Sequence, residues 1–151
     1  MRIGVISDTH GLVRPEALQA LAGVERIIHA GDVGGAQVVQ ALRRVAPVDV
    51  VRGNNDKDAW GQQLSPWLAL EFDGVGVHVL HDLHDMDVDA AAAGFKVVIT
   101  GHSHKPLVSE REGVLFVNPG SAGPRRFSLP VTLGYLIIES GAARAEIKSL
   151  L

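Results

Sequence analysis

Seven side chains in this sequence carry the means for metal chemistry: Asp8, His10, Asp32, Asn54, His81, His102 and His104. All are oxygen or imidazole donors, and the chain has no cysteine. Such a set suits hard or borderline divalent ions such as Mn²⁺, Zn²⁺ or Fe²⁺. Seven protein ligands are too many for one catalytic ion that must keep an open position. They suit two ions that share a bridging carboxylate and a bridging water. Two carboxylates against two divalent cations leave roughly +2 at the centre, which attracts an anion such as a phosphate ester.

Taken singly, each motif is weak. An Asp-x-His after a strand is ordinarily a capping Asp beside a surface His, and Gly31-Asp32 and Gly53-Asn54 are common turn dipeptides. His102-x-His104 says more, because a period of two puts both rings on one side of an extended segment. The informative feature is their joint occurrence, in order, each where an apolar run ends.

Those runs define the elements. Ile3–Ile6 reads as a buried strand, 15–21 as a helix with Pro15 in its first turn, and 26–29 as a second strand. A helix over 36–45 has Val38, Val39, Leu42 and Val45 on one face, and 48–51 is a third strand. This β-α-β-α-β order implies parallel pairing. Hairpins follow at Asp73-Gly74, between strands 67–72 and 75–80, and at Ser140-Gly141, between 133–139 and 143–147. A turn at Glu112-Gly113 joins runs 107–109 and 114–117. The stretch 87–93 is expected as a short alanine-rich helix and 96–100 as a strand. The reading is one α/β domain over residues 1–151 with two sheets. In open α/β sheets ligands bind at the carboxyl ends of strands, where these seven residues fall.

Composition narrows the function further. The chain has 151 residues, 46% hydrophobic and 21% charged, with a formal charge of −3. No global cationic field exists to gather nucleic acid or an anionic membrane, so nucleic acid is not expected as a bulk partner. The first apolar run stops at Asp8, short of a secretory core segment, and no stretch approaches the ~20 apolar residues of a membrane span. A cytoplasmic protein is expected, with no disulfides and no Cys nucleophile. No surface stripe decides whether it forms a homo-oligomer.

Asp8-Thr9-His10, Gly31-Asp32, Gly53-Asn54-x-Asp56, His81 and Gly101-His102-Ser103-His104 resemble the calcineurin-like metallophosphoesterases. Segments 1–11, 51–56, 101–106 and Asn118-Pro-Gly-Ser121 are similar to its small bacterial and archaeal phosphodiesterase branch. The resemblance implies a two-sheet α/β/β/α sandwich and hydrolysis of a small phosphate ester, a diester rather than a monoester. The attacking group would be a hydroxide bridging two divalent ions, usually Mn²⁺ or similar. It implies that Asp8, His10, Asp32 and His104 hold one ion and Asp32, Asn54, His81 and His102 the other, with Asp32 bridging. It also puts Asn54, Asp56 and His81 among the catalytic residues, with Asp56 hydrogen-bonding inside the site rather than touching metal.

Two departures from the family pattern matter. Larger relatives carry a His after Gly-Asn that can donate a proton to the leaving group, whereas Asn55 stands here, and an amide is no acid near neutral pH. Activated diesters should therefore turn over better than alkyl ones. Asp82 stands where glycine is frequent and is expected as a solvated carboxylate, the other reading being a partner that orients a ligand histidine. His29 is expected as a half-buried strand residue, His78 as structural, and His84 as a loop residue. Trp60 and Trp67 read as packing residues rather than stacking platforms. Arg14, Arg52, Arg125 and Arg126 are the cations available to a substrate phosphate, the 125–126 pair being expected in solvent. Ser7, Ser103 and Ser121 lack the partner pattern of a nucleophile.

The alternative function is a non-catalytic scaffold, since a eukaryotic retromer subunit resembles this fold and acts mainly through its surfaces. A scaffold is free to lose ligands, and this chain keeps all seven. A dinucleotide-binding oxidoreductase is excluded by 31–35, which lacks the G-x-G-x-x-G spacing.

Overall fold

A computed structural model describes residues 1–151. It contains ten strands and two α-helices. The first half runs β1 (Arg2–Ile6), α1 (Pro15–Leu21), β2 (Arg26–His29), α2 (Ala36–Arg43) and β3 (Val48–Val50). The second runs β4 (Trp67–Phe72), β5 (Val75–Leu80), β6 (Phe95–Ile99), β7 (Leu107–Arg111), β8 (Val114–Asn118), β9 (Thr132–Glu139) and β10 (Ala142–Ser149). One five-stranded sheet has the order β10-β9-β1-β2-β3 and the other β4-β5-β6-β8-β7. The expected two-sheet α/β sandwich is present.

Burial explains the layering. Ile3, Val5 and Ile28 from one sheet meet Val77, Val79, Val97 and Ile99 from the other in a core between the sheets. The opposite face of the first sheet, with Ile6 and Ile27, is covered by Leu21 of α1 and Val38, Val39 and Leu42 of α2. Pro15 starts α1 at a position where a missing N–H costs nothing. Helix α2 ends two residues before Val45; the amides of Arg44 and Val45 bond three residues back in a tighter turn.

The outer face of the second sheet has no α-helix. The helix expected over 87–93 is replaced by a single turn, in which Asp89 caps the amide of Ala92 at 3.2 Å and its carbonyl accepts from Ala93 at 2.9 Å. Of these alanines only Ala90 is buried, so no apolar face exists to hold a longer helix, and Gly94 turns the chain out at φ 87°.

Strands β1, β2 and β3 are mutually parallel, as are β5, β6 and β8. Their carboxyl ends therefore gather at one end of the sandwich, and loops from both sheets meet there. The amides of Asp8, His10 and Gly11 bond to the carbonyls of Gly31, Asp32 and Val33, which locks the first loop against the second. The amide of Gly101 bonds to the His81 carbonyl at 2.9 Å, which does the same across the second sheet.

Candidate metal centre

Asp8, His10, Asp32, His81 and His104 converge. Asp8 Oδ1 lies 3.9 Å from His10 Nε2, 3.8 Å from His81 Nε2 and 3.3 Å from His104 Nε2. Asp32 Oδ2 lies 3.7 Å from His10 Nε2 and 3.3 Å from His81 Nε2. Two overlapping trios result, Asp8–His10–His104 and Asp8–Asp32–His81, with donor atoms within 4.8 Å of one another. Asp8 and Asp32 thus both face His10 and His81. His102 and Asn54 sit at the exposed mouth, with His102 Nδ1 3.1 Å from Asn54 Oδ1 and the His102 ring edge-on to His81 at 5.2 Å.

The chain holds these residues in unusual backbone states. Asp8, His10, Asp32, His102 and His104 all have φ between 47° and 73°. That left-handed region is costly for a side chain other than Gly, and such positions gather at functional sites. Tight loops leave no alternative: a Cβ on Gly53 would strike Asp32, and one on Gly101 would strike Ser7.

Hydrogen bonds tune each donor. Ser7 Oγ donates to Asp8 Oδ2 at 2.6 Å, and the His102 amide donates to the same oxygen at 3.1 Å, so Oδ1 is left to the site. The Ala30 carbonyl accepts from His81 Nδ1 at 2.7 Å, which turns Nε2 toward the carboxylates. Burial opposes charge on His81, but Asp32 and Asp8 beside it outweigh that and raise its pKa. Burial likewise pushes Asp32 upward, yet His81 and Asn55 hold it well below the usual carboxylate range. Burial, ahead of all else, lowers His104, with the Arg126 charge acting the same way and Asp8 opposing.

These donors fit divalent cations. Asp8 Oδ1, His10 Nε2 and His81 Nε2 are buried and have no hydrogen-bond partner. Leaving three polar atoms unpaired at one point costs about 1–3 kcal/mol each unless a ligand satisfies them.

Other residues support the cage from outside. Asp56 accepts from the amides of Val33, Gly34 and Gly53, which ties the second and third loops together. Asn55 donates its amide to Asp32 Oδ1 at 2.9 Å and its side chain to Oδ2 at 3.0 Å, a role invisible in its sequence pattern. Asn118 donates to the Gly101 carbonyl, and Ser121 donates to that of Asp8, so the Asn118–Ser121 motif props two ligand loops. Arg14 donates to the Gly123 carbonyl, and both Arg125 and Arg126 are exposed. Asp82 is not merely solvated: its Oδ2 lies 3.6 Å from His102 Nε2, while Oδ1 accepts from the His84 amide. Asp82→Asn should weaken divalent-cation binding by about tenfold, the lower end for such supporting carboxylates given its partial exposure. A calorimetric titration checks this.

His29 departs from expectation. It is fully buried rather than half-buried. Its Nδ1 accepts from the Gly31 amide at 3.1 Å, so Nε2 carries the proton and donates to Thr9 Oγ1 at 2.9 Å. Thr9 passes the chain on to the Val33 carbonyl. A neutral ring thereby pins two ligand loops, and burial, with the nearby His81 charge, lowers its pKa to about 3. The folded state refuses a proton that the unfolded chain takes up below about pH 6.5, so stability falls as pH drops from there toward 3. The loss by pH 3 is a few kcal/mol. In His29→Gln, the acid limb of a metal-free melting profile should flatten over that window; an unchanged slope refutes the assignment.

Comparison with known proteins identifies the family. The chain belongs to the calcineurin-like phosphoesterase superfamily, whose domain it matches over residues 1–141. A probable metallophosphoesterase of Methanothermobacter thermautotrophicus is 34% identical, covering 97% of this chain and 91% of its own. The solved structure of an archaeal phosphodiesterase superposes with a TM-score of 0.80 at 26% identity, over 98% of this chain and 100% of its own. Vacuolar protein sorting 29 of Cryptosporidium parvum shares the fold, with a TM-score of 0.75 at 17% identity over 97% and 96% of the two chains. Membership makes this a metal-dependent phosphoesterase. No helix is long and apolar enough to cross a membrane.

Proposed function

We propose that this protein is a phosphodiesterase acting on small esters. In this reading Asp8, His10, Asp32 and His104 hold one divalent cation, and Asp32, Asn54, His81 and His102 a second, Mn²⁺ ahead of Zn²⁺, Fe²⁺ or Ni²⁺. Such ions would supply an activated water as the nucleophile and would neutralise charge on the phosphate oxygens.

The chain's own groups do the rest. The bond from His81 Nδ1 to the Ala30 carbonyl fixes the tautomer that offers Nε2. Asn55 clamps Asp32 by two hydrogen bonds and so preserves its orientation. That commitment, and its amide chemistry, leave Asn55 unable to protonate a leaving group. Arg126, an exposed cation whose charge acts on His104, is the candidate in this reading for meeting the substrate's phosphoryl oxygens. The observation that carries the proposal is the trio of buried, partnerless donors facing one another. The same feature weighs against a pure scaffold, which gains nothing from unsatisfied buried groups.

The test is hydrolysis of bis(p-nitrophenyl) phosphate with Mn²⁺, with Mn²⁺ plus chelator, and with His102→Ala. The rate should collapse in the second and fall steeply in the third. Equal rates in all three refute the proposal. Leaving-group dependence is the companion prediction: p-nitrophenyl diesters should exceed alkyl diesters by at least about 100-fold, because no acid assists departure. Comparable rates would point to a donor elsewhere in the cleft.

A further inference from the structure

A cavity of about 600 Å³ opens directly beside the candidate metal centre, with Asn54 and His81 forming one end. That size falls within the range of small-molecule sites. It lies on the outer face of the second sheet, beside residues 86–88. One wall is aromatic. The rings of Trp67 and His78 are 5.8 Å apart and those of His78 and Phe95 are 5.0 Å apart, with tilts of 41° and 39°.

Trp67 is 56% exposed, so it is not the packing residue its sequence context suggests. Trp60, by contrast, does pack against the helical core. The strand register places Trp67 opposite Leu80, the residue before His81, and Ala69 opposite His78. Paired strands lie about 4.8 Å apart and rise about 3.4 Å per residue. The aromatic row therefore starts one strand spacing from the end that carries His81 and runs away from the centre.

Charge at the rim sets what can enter. Asp82, Asp85 and Asp87 line the cavity against the single cation Arg52, which adjoins Gly53-Asn54. A second phosphate would meet three carboxylates. A neutral or positively charged planar group would not.

We infer that this cavity seats one ester group of the substrate, a neutral or cationic heteroaromatic ring such as a nucleobase, with Trp67 as the stacking and specificity-determining residue. This assignment rests on the phosphodiesterase reading for its catalytic consequence, though not for binding. Stacking of a base on an aromatic side chain is sequence-tolerant and gives about tenfold or more in affinity.

Two measurements separate the assignment from the reading beneath it. In the first, kcat/KM with Mn²⁺ is compared for thymidine 5′-(p-nitrophenyl phosphate) and methyl p-nitrophenyl phosphate, which share a chromophore. The intact protein should prefer the nucleoside diester by about tenfold. Trp67→Ala should bring that ratio near one, and Trp67→Phe should restore most of it. An unchanged ratio in Trp67→Ala, or no preference in the intact protein, overturns the inference. The second needs no turnover: adenosine should quench the tryptophan fluorescence of the metal-free protein, and Trp67→Phe should abolish the quenching. Quenching without hydrolysis supports the cavity and sinks the phosphodiesterase reading. Hydrolysis with neither preference nor quenching does the reverse.

Discussion

Asp32→Asn should lower kcat/KM for a chromogenic diester by more than about 100-fold, and should abolish the rise in melting temperature expected from Mn²⁺ in the intact protein. The first figure follows from position. Losing a mere supporting partner of a metal ligand costs about 10–100-fold, and Asp32 is no supporting residue: its Oδ2 faces both His10 and His81. The second follows from linkage, since a ligand at a hundred times its Kd stabilises the folded state by about 2.7 kcal/mol. For a chain of this length that is a rise of roughly 5–10 °C. Asparagine is nearly isosteric and keeps an acceptor for the Asn55 amide, so the metal-free fold should persist. Circular dichroism thus separates lost binding from lost folding. A variant that still gains several degrees with Mn²⁺ would show that Asp8 alone, the residue common to both trios, suffices to hold the cations.

The strand ends were legible because their signals are local. Alternation and β-branched runs mark β1, β2 and β5, and glycines mark the sharp exits. Five ordered polar clusters at those exits then lead to a shared site, which the parallel registers bring together. What was not legible depends on partners distant in sequence. His29 looks like any polar strand residue until the Gly31 amide and Thr9 hydroxyl close on its two nitrogens. Asp82 looks solvated until His102, twenty positions on, comes to 3.6 Å. Trp67 and Ala69 alternate outward from Leu68 and Leu70 as the pattern predicts, but alternation does not say whether that outer face is covered. The stretch 87–93 shows the same limit in reverse. Alanine has high helix propensity, yet a seven-residue stretch with one buried side chain cannot offset the cost of nucleation.

Gly53→Ala should be strongly damaging, and more damaging than Gly101→Ala. At Gly53 an added methyl would overlap the backbone nitrogen and the carboxylate of Asp32, with the Asp32 Cα at 2.8 Å behind them. Backbone cannot swing aside, and the Gly53 amide is itself tied to Asp56 at 2.9 Å. At Gly101 the overlap is with the Ser7 hydroxyl, and Asp8 Oδ2 lies at 2.7 Å. A hydroxyl can rotate away, although doing so gives up its 2.6 Å bond to Asp8. Gly76→Ala serves as a comparison, because its nearest neighbours stand at 3.2 Å or beyond. Overpacking of this kind costs about 1–3 kcal/mol, and Gly53 belongs at the upper end. The expected fall in melting temperature is roughly 6–12 °C for Gly53→Ala and clearly less for the other two. Catalysis should suffer more than stability at both site glycines, since a displacement of about 1 Å in a reacting group costs on the order of 100-fold. The Asp32 and Asp8 loops would move by about that much. Melting and kcat/KM measured together under saturating Mn²⁺ decide the matter. Equal losses at all three positions would mean that the crowding at the loops is relieved without moving the carboxylates.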